Sequence, residues 1–215
     1  MKTRGVILRA TKAVANVVAL YFTLSCGAYC QEINGSRNEC LALQNASSPD
    51  LVQFLSGVVP EEKNGDCVTW AINKLGNEHY EPGITALVRL LDFRRPPTPR
   101  EKQGIYMRVQ GISEVYPAAG ALSLIGQKAL PEILRTIEAD PTSPTARENA
   151  LFVWMETYRQ TDEHPKAIAI LKREETQTND EKIKQRLNWA AQRAIAWCNP
   201  PEEKACRQAA EPKAP

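Results

Sequence analysis

Six cysteines, two histidines and a large stock of carboxylates are the groups from which this 215-residue chain can build a reactive or metal-binding site. Their spacing argues against one. His79 stands beside Glu78, and His164 follows Asp162-Glu163, each between two apolar stretches. Neither belongs to an H-E-x-x-H pair, which sets two imidazoles on one helix face, and turn histidines flanked by acids are expected to be solvated. No C-x-x-C occurs and neither histidine lies close to a cysteine pair, so zinc-ligand spacing is missing. The G-x-S-x-G elbow, the P-loop and the dinucleotide fingerprint are absent as well. The carboxylates fall on amphipathic stretches, where they make a wet face. The sequence therefore assigns no catalytic residue, no metal ligand and no cofactor.

The cysteines have another use, and the N-terminus points to it. Lys2, Arg4, Arg9 and Lys12 precede an apolar core from Ala13 to Leu24, and no further charge appears until Glu32. Small residues at Cys26 and Ala28 allow cleavage after Ala28, and those at Ala28 and Cys30 allow it after Cys30. Residues 1–30 thus read as a signal peptide. Two other readings stay open: an uncleaved anchor, since about 19 uncharged residues just span a bilayer, and a lipoprotein built on Thr23-Leu24-Ser25-Cys26. All three place the folded part outside the cytoplasm, periplasmic or secreted, with membrane contact only through an anchor or lipid. Disulfides are permitted there. Cleavage after Cys30 leaves Cys40, Cys67, Cys198 and Cys206, which allow three connectivities. Cleavage after Ala28 adds an unpaired Cys30. Loop length favours Cys40–Cys67 and Cys198–Cys206, with free buried thiols as the alternative.

Export changes the charge balance too. The whole chain holds 27 basic and 25 acidic side chains. Its four N-terminal basic residues leave with the signal peptide, so 23 remain against 25, a net charge of −2. A near-neutral protein lacks the basic footprint of a nucleic-acid binder, and that class is set aside.

The elements beyond the signal share one phrase. In the stretch Ala118 to Asp140, Ala118, Ala121, Leu122 and Ile125 fall at helical spacing before Gly126, a residue that accepts φ > 0 at a helix end. Pro131 suits the first turn of a second helix, whose stripe is Leu130, Ile133, Leu134 and Ile137. Asp140-Pro141 stops it. The phrase recurs unevenly. Ala71-Ile72-Asn73-Lys74-Leu75-Gly76 leads to Pro82 and the run Ala86, Leu87, Leu90, Leu91. Later, Ala150 to Met155 leads to Pro165 and Ala167, Ile168, Ile170, Leu171. A helix pair that is apolar on one side needs neighbours of its own kind. Residues 104–114 fit either a strand or a helix, and helical neighbours favour the helix. A last helix carries Ile183, Leu187, Ala190 and Ala194 behind a cap at Thr178 or Asn179.

The pattern A-x-x-A-L-x-x-I-G-x-x-A-L-P-x-I over residues 118–133 resembles the HEAT-like repeats of phycobilisome-lyase type. The resemblance covers most of residues 48–198. It implies an all-α fold, a short right-handed α-solenoid of about four antiparallel helix pairs. On this reading residues 31–47 are a polar N-terminal arm, 48–198 the repeat domain, and 199–215 a proline-rich, partly disordered tail. HEAT-like repeats serve carriers, scaffolds and a few lyases, so they imply binding more than chemistry.

Two surface features stand out. Arg94, Arg95, Pro96, Pro97, Pro99 and Arg100 form a basic, proline-rich loop between repeats, expected to be extended and solvated. It suits docking of an acidic or polyproline-recognising partner, or it merely spans two helices. Trp70 and Trp189 have polar neighbours and are candidates to line a groove, whereas Trp154 and Trp197 lie on apolar stripes. The function expected is a non-catalytic exported scaffold for a protein or peptide. The alternative is a HEAT-like lyase or cofactor-attachment factor, which requires a pocket with converging polar groups.

Overall fold

Apolar residues at helical spacing, punctuated by proline and capping side chains, produce helices throughout the described chain. The computed structural model describes residues 40–105, 109–139, 143–198 and 200–211, with backbone alone at 200–202. The segment read as a signal peptide, 1–30, and the first part of the polar arm lie outside the described residues. In order come α1 (Cys40–Gln44), α2 (Ser48–Gly57) and α3 (Gly65–Asn77). A 3₁₀ turn at Glu81–Gly83 leads into α4 (Ile84–Val88), followed by the short α5 (Pro99–Lys102) and α6 (Ile112–Val115). Then α7 (Pro117–Ile125) is joined through a 3₁₀ turn at Gly126–Ala129 to α8 (Leu130–Glu138). The chain continues as α9 (Pro144–Arg159), α10 (His164–Gln177), α11 (Glu181–Ile195) and α12 (Pro200–Ala210). The fold is all-α, with no strand among the described residues.

Local chemistry sets the boundaries. The backbone N–H of Ser47 donates to the Asp50 carboxylate (3.1 Å) ahead of Pro49, which closes the first turn of α2. Asp180, rather than Thr178 or Asn179, caps α11, accepting from the N–H groups of Lys182 (2.8 Å) and Ile183 (3.2 Å). Those two bonds to the charged form hold its carboxyl below the usual aspartate range. Gly126 ends α7 with φ 73°, as its position predicts.

One core runs from Leu43 to Cys206. Its main contact is between α3 and α7, and α9 packs on α7 as well. Alongside them, α4 packs on α8, and α8 packs on α11. At the C-terminal end α10 is held between α11 and α12. Of the two stripes in the Ala118 to Asp140 phrase, Leu122, Ile133 and Ile137 are 0% exposed and Ile125 is 7% exposed.

Helix C-termini leave carbonyls without partners, and here neighbouring elements supply the donors. The Arg89 guanidinium reaches Leu55 O at the end of α2 (2.8 Å). The Nδ1 of His79 bonds Leu124 O at the end of α7 (2.6 Å). Arg186 reaches Glu138 O at the end of α8 (2.7 Å), and the Asn149 amide reaches Leu91 O (2.6 Å). Each bond satisfies an orphan acceptor and fixes one helix against another. A cation there also meets the negative end of the helix dipole.

Several expectations are corrected. Gly76 does not end α3: it is buried inside the helix, and the residue with positive φ just past the end is His79 (φ 48°). Among the described residues of 104–114, helix is found only in the single turn of α6, and Gly104 (φ 74°) turns the chain ahead of residues 106–108, which lie outside the described residues. The run Ala86, Leu87, Leu90, Leu91 behind Pro82 is α-helical only at Ile84–Val88 and continues in turns closed three residues back. At the C-terminus the prolines that stop α11 also begin α12, since a first turn needs no proline N–H. The stretch read as a tail is thus helical over 200–210, and the arm contributes α1.

Candidate functional site

The four cysteines join as loop length favoured. Cys40 is bonded to Cys67 with Cα atoms 5.1 Å apart, and Cys198 to Cys206 with 6.7 Å between them. Both separations suit a disulfide. The first ties α1 to the start of α3, and the second folds α12 back beyond the end of α11. Cys67 and Cys206 are buried, so each bridge is anchored in the core.

The basic loop differs from its expected form. Instead of standing extended in solvent, it is folded back and held by Arg95. That guanidinium pairs with both oxygens of Glu101 (2.8 and 2.6 Å) and also donates to Glu114 O (2.6 Å) and Pro96 O (2.9 Å). The Arg95 N–H meanwhile donates to Val115 O (3.0 Å). The Gln110 amide adds a further bond to Glu101. Arg95, then the Thr98 N–H, pull the Glu101 carboxyl down to about 2, and Glu101 raises Arg95 in turn. Pro96 is spent on packing: a Cβ at Gly65 would lie 2.5 Å from its Cγ. Arg94, Pro97, Pro99 and Arg100 remain exposed. The capping-box spacing Thr98-x-x-Glu101 is the sequence signal for this turn, whereas composition alone points to an extended loop.

Trp70 and Trp189 are half-buried on α3 and α11, each under a cation. Lys74 Nζ stands 5.9 Å from the Trp70 ring, and the Arg147 guanidinium carbon stands 4.4 Å from the Trp189 ring. They stand on different helices: the cation over Trp70 comes from α3 itself, and the cation over Trp189 comes from α9. Trp154 is core, with its indole N–H donating to Ala167 O (3.2 Å). Half-buried Trp197 carries Arg193 over its ring at 5.7 Å.

His79 is the exposed turn residue expected, and it also bonds Leu124 O at the end of α7, whereas His164 is buried at the start of α10. The acceptor of His79 comes from a distant part of the chain, which local composition does not reveal. Among the described residues no cluster of three or more His, Cys, Asp or Glu is arranged to hold a metal ion. No described helix is long and apolar enough to cross a membrane.

Comparison with known proteins adds no family: no family model, curated protein or solved structure matches the chain.

Proposed function

We propose that this chain is an exported, non-catalytic helical-repeat scaffold that binds a protein or peptide partner. The observation that carries the reading is the side-by-side packing of α3, α7 and α9, each of which opens one copy of the recurring helix–turn–helix phrase. That arrangement supports a short right-handed α-solenoid of HEAT-like type, in which each unit buries its stripe on the next and leaves long surfaces for a partner. The two disulfides support export, since such bonds persist in oxidising compartments.

The test is capture by the full chain from envelope extract of its host, then reconstitution with each purified component. A stoichiometric protein complex on size-exclusion chromatography is the expected result. Recovery of the chain carrying a covalently attached small molecule, or turning one over, refutes the scaffold and favours an attachment factor.

A further inference from the structure

The two disulfides share an asymmetry. In each, one cysteine is buried, Cys67 at 3% exposure and Cys206 at 0%, while the other, Cys40 or Cys198, is half-buried. Thiol–disulfide exchange is a displacement in line with the S–S bond, in which an incoming thiolate approaches one sulfur from the side opposite the other. A sulfur enclosed by the core offers no such path. Access therefore selects which of the two is attacked.

Chain order points the same way. The bridges join Cys40 to Cys67 and Cys198 to Cys206, so the half-buried member is the N-terminal one of each pair. In export from the N-terminus, Cys40 emerges before Cys67 and Cys198 before Cys206. The sulfur that an external oxidant meets first on the emerging chain is thus the one that an external thiolate reaches on the folded protein. The hold of α12 shows what exchange releases. Among its described side chains, hydrogen bonds and ion pairs stay within the helix, Arg207 pairing with Glu203 (2.6 Å). The bridge and apolar packing are what keep it on its neighbours.

We infer that thiol–disulfide exchange enters this protein at Cys40 and Cys198, with Cys67 and Cys206 as the leaving and resolving sulfurs. The reactant is a thiol, small or part of a protein dithiol, and its setting rests on the proposed export. The external thiolate forms a bond to Cys198 Sγ, the Cys198–Cys206 bond breaks, and Cys206 leaves as a thiolate that takes up a proton. With a dithiol, the second external sulfur then attacks the first. Cys198 leaves as a thiolate and is protonated, the external pair is oxidised, and the bridge is reduced by two electrons. An external disulfide oxidises the newly made chain by the same steps in reverse, with Cys206 resolving the mixed disulfide. Cys40 and Cys67 follow the same course.

The test uses the full chain purified with both bridges formed, exposed briefly to glutathione, quenched with acid, alkylated and mapped by mass spectrometry. Early adducts are expected on Cys40 and Cys198 at about tenfold or more over Cys67 and Cys206. In urea beyond the unfolding transition the preference should collapse toward parity, because burial is its cause. A second arm replaces glutathione by a thioredoxin-type protein lacking its second thiol. A mixed disulfide with Cys40 or Cys198 in that arm supports a protein dithiol as the reactant, and adducts from glutathione alone support a small thiol. Equal early labelling of both sulfurs of a bridge, adducts first on Cys67 or Cys206, or a preference that survives in urea overturns the inference. So does the lack of any adduct from either thiol on the folded chain. These outcomes leave the scaffold reading standing, since the bridges are present in each. Four free thiols in chain recovered from envelope extract refute the exchange together with the disulfide support for export.

Discussion

Replacing Gly76 by alanine sets two effects of opposite sign against each other, and the structure decides between them. Inside a helix, glycine is less favourable than alanine by about 0.5–1 kcal/mol, so the substitution gains that much from the backbone. Gly76, however, is where α3 crosses α7. A Cβ built there lies 2.7 Å from both the Cα and the Cβ of Ala121. A flexible side-chain tip moves aside, but a helix backbone does not. The two helices must separate, and Leu75, Ile72 and Leu122, all 0% exposed, lose contacts along the seam. Overpacking of this kind costs about 1–3 kcal/mol, and an obstruction made of backbone lies toward the upper end. The net expectation for Gly76→Ala is a loss of about 1–2 kcal/mol. With a urea m-value of about 2 kcal/mol/M, the midpoint falls by about 0.5–1 M at unchanged m. Gly57 is the control, since a Cβ there meets nothing within 4 Å and the change should be neutral or slightly stabilising. A Gly76→Ala midpoint at or above that of the parent protein would refute the close approach, and with it the α3–α7 seam.

Three further outcomes follow from the same geometry. Leu122→Ala, at a fully buried position, should lower stability by about 2–5 kcal/mol in urea unfolding, and a loss below about 0.5 kcal/mol would mean that the stripe faces solvent. Glu101 is held at about 2 in the folded state against an ordinary 4.5, so its stabilising contribution is complete above 4.5 and disappears as pH falls through about 2. Glu101→Gln should therefore flatten the acid limb of midpoint against pH in that window, and an unchanged limb counts against the Arg95 clamp. Non-reducing peptide mapping should recover Cys40 with Cys67 and Cys198 with Cys206; four free thiols, or a crosslink between the two pairs, contradicts the structure.

What the sequence made legible was local, and what it hid was long-range. Gly126 ends its helix as expected, because a positive φ after an apolar stripe is a property of the turn itself. Gly76 stands at the equivalent place in the repeated phrase and works differently, because its reason is Ala121 on another helix. The same division separates the cysteines from the histidines. Short loops made the cysteine pairs readable, whereas His79 finds its acceptor at Leu124, beyond the reach of any local pattern. The basic loop lies between these cases. Its composition suggested an extended, solvated strap, but Thr98-x-x-Glu101 marks a capped turn, and that turn places the carboxylate that captures Arg95. Charge counted along a sequence overstates what the surface offers, since one of the loop's three arginines is spent on the fold.

Both disulfides sit on end helices that bury few large side chains. Helix α9 is held by Leu151, Val153, Trp154 and Met155, large side chains buried in the core. By contrast, α1 buries Leu43 alone, and α12 offers Cys206 with the partly buried Ala209 and Ala210. Alanine brings little apolar area, and at about 25 cal/mol per Å² its burial does not hold a terminal helix against the entropy of release. A bridge contributes about 2–4 kcal/mol, comparable to one large core side chain, and adds it where such a side chain is missing. In the stack of helix pairs proposed above, each interior layer is packed on two sides and each end layer on one, so the ends fray first. Covalent closure of both ends confines opening to the interior layers, which are the better packed. Reduction should accordingly release α1 and α12 before the α3–α7–α9 row yields, visible as early hydrogen exchange at both ends. Simultaneous loss of protection throughout the chain would show instead that the bridges hold the whole core rather than its edges.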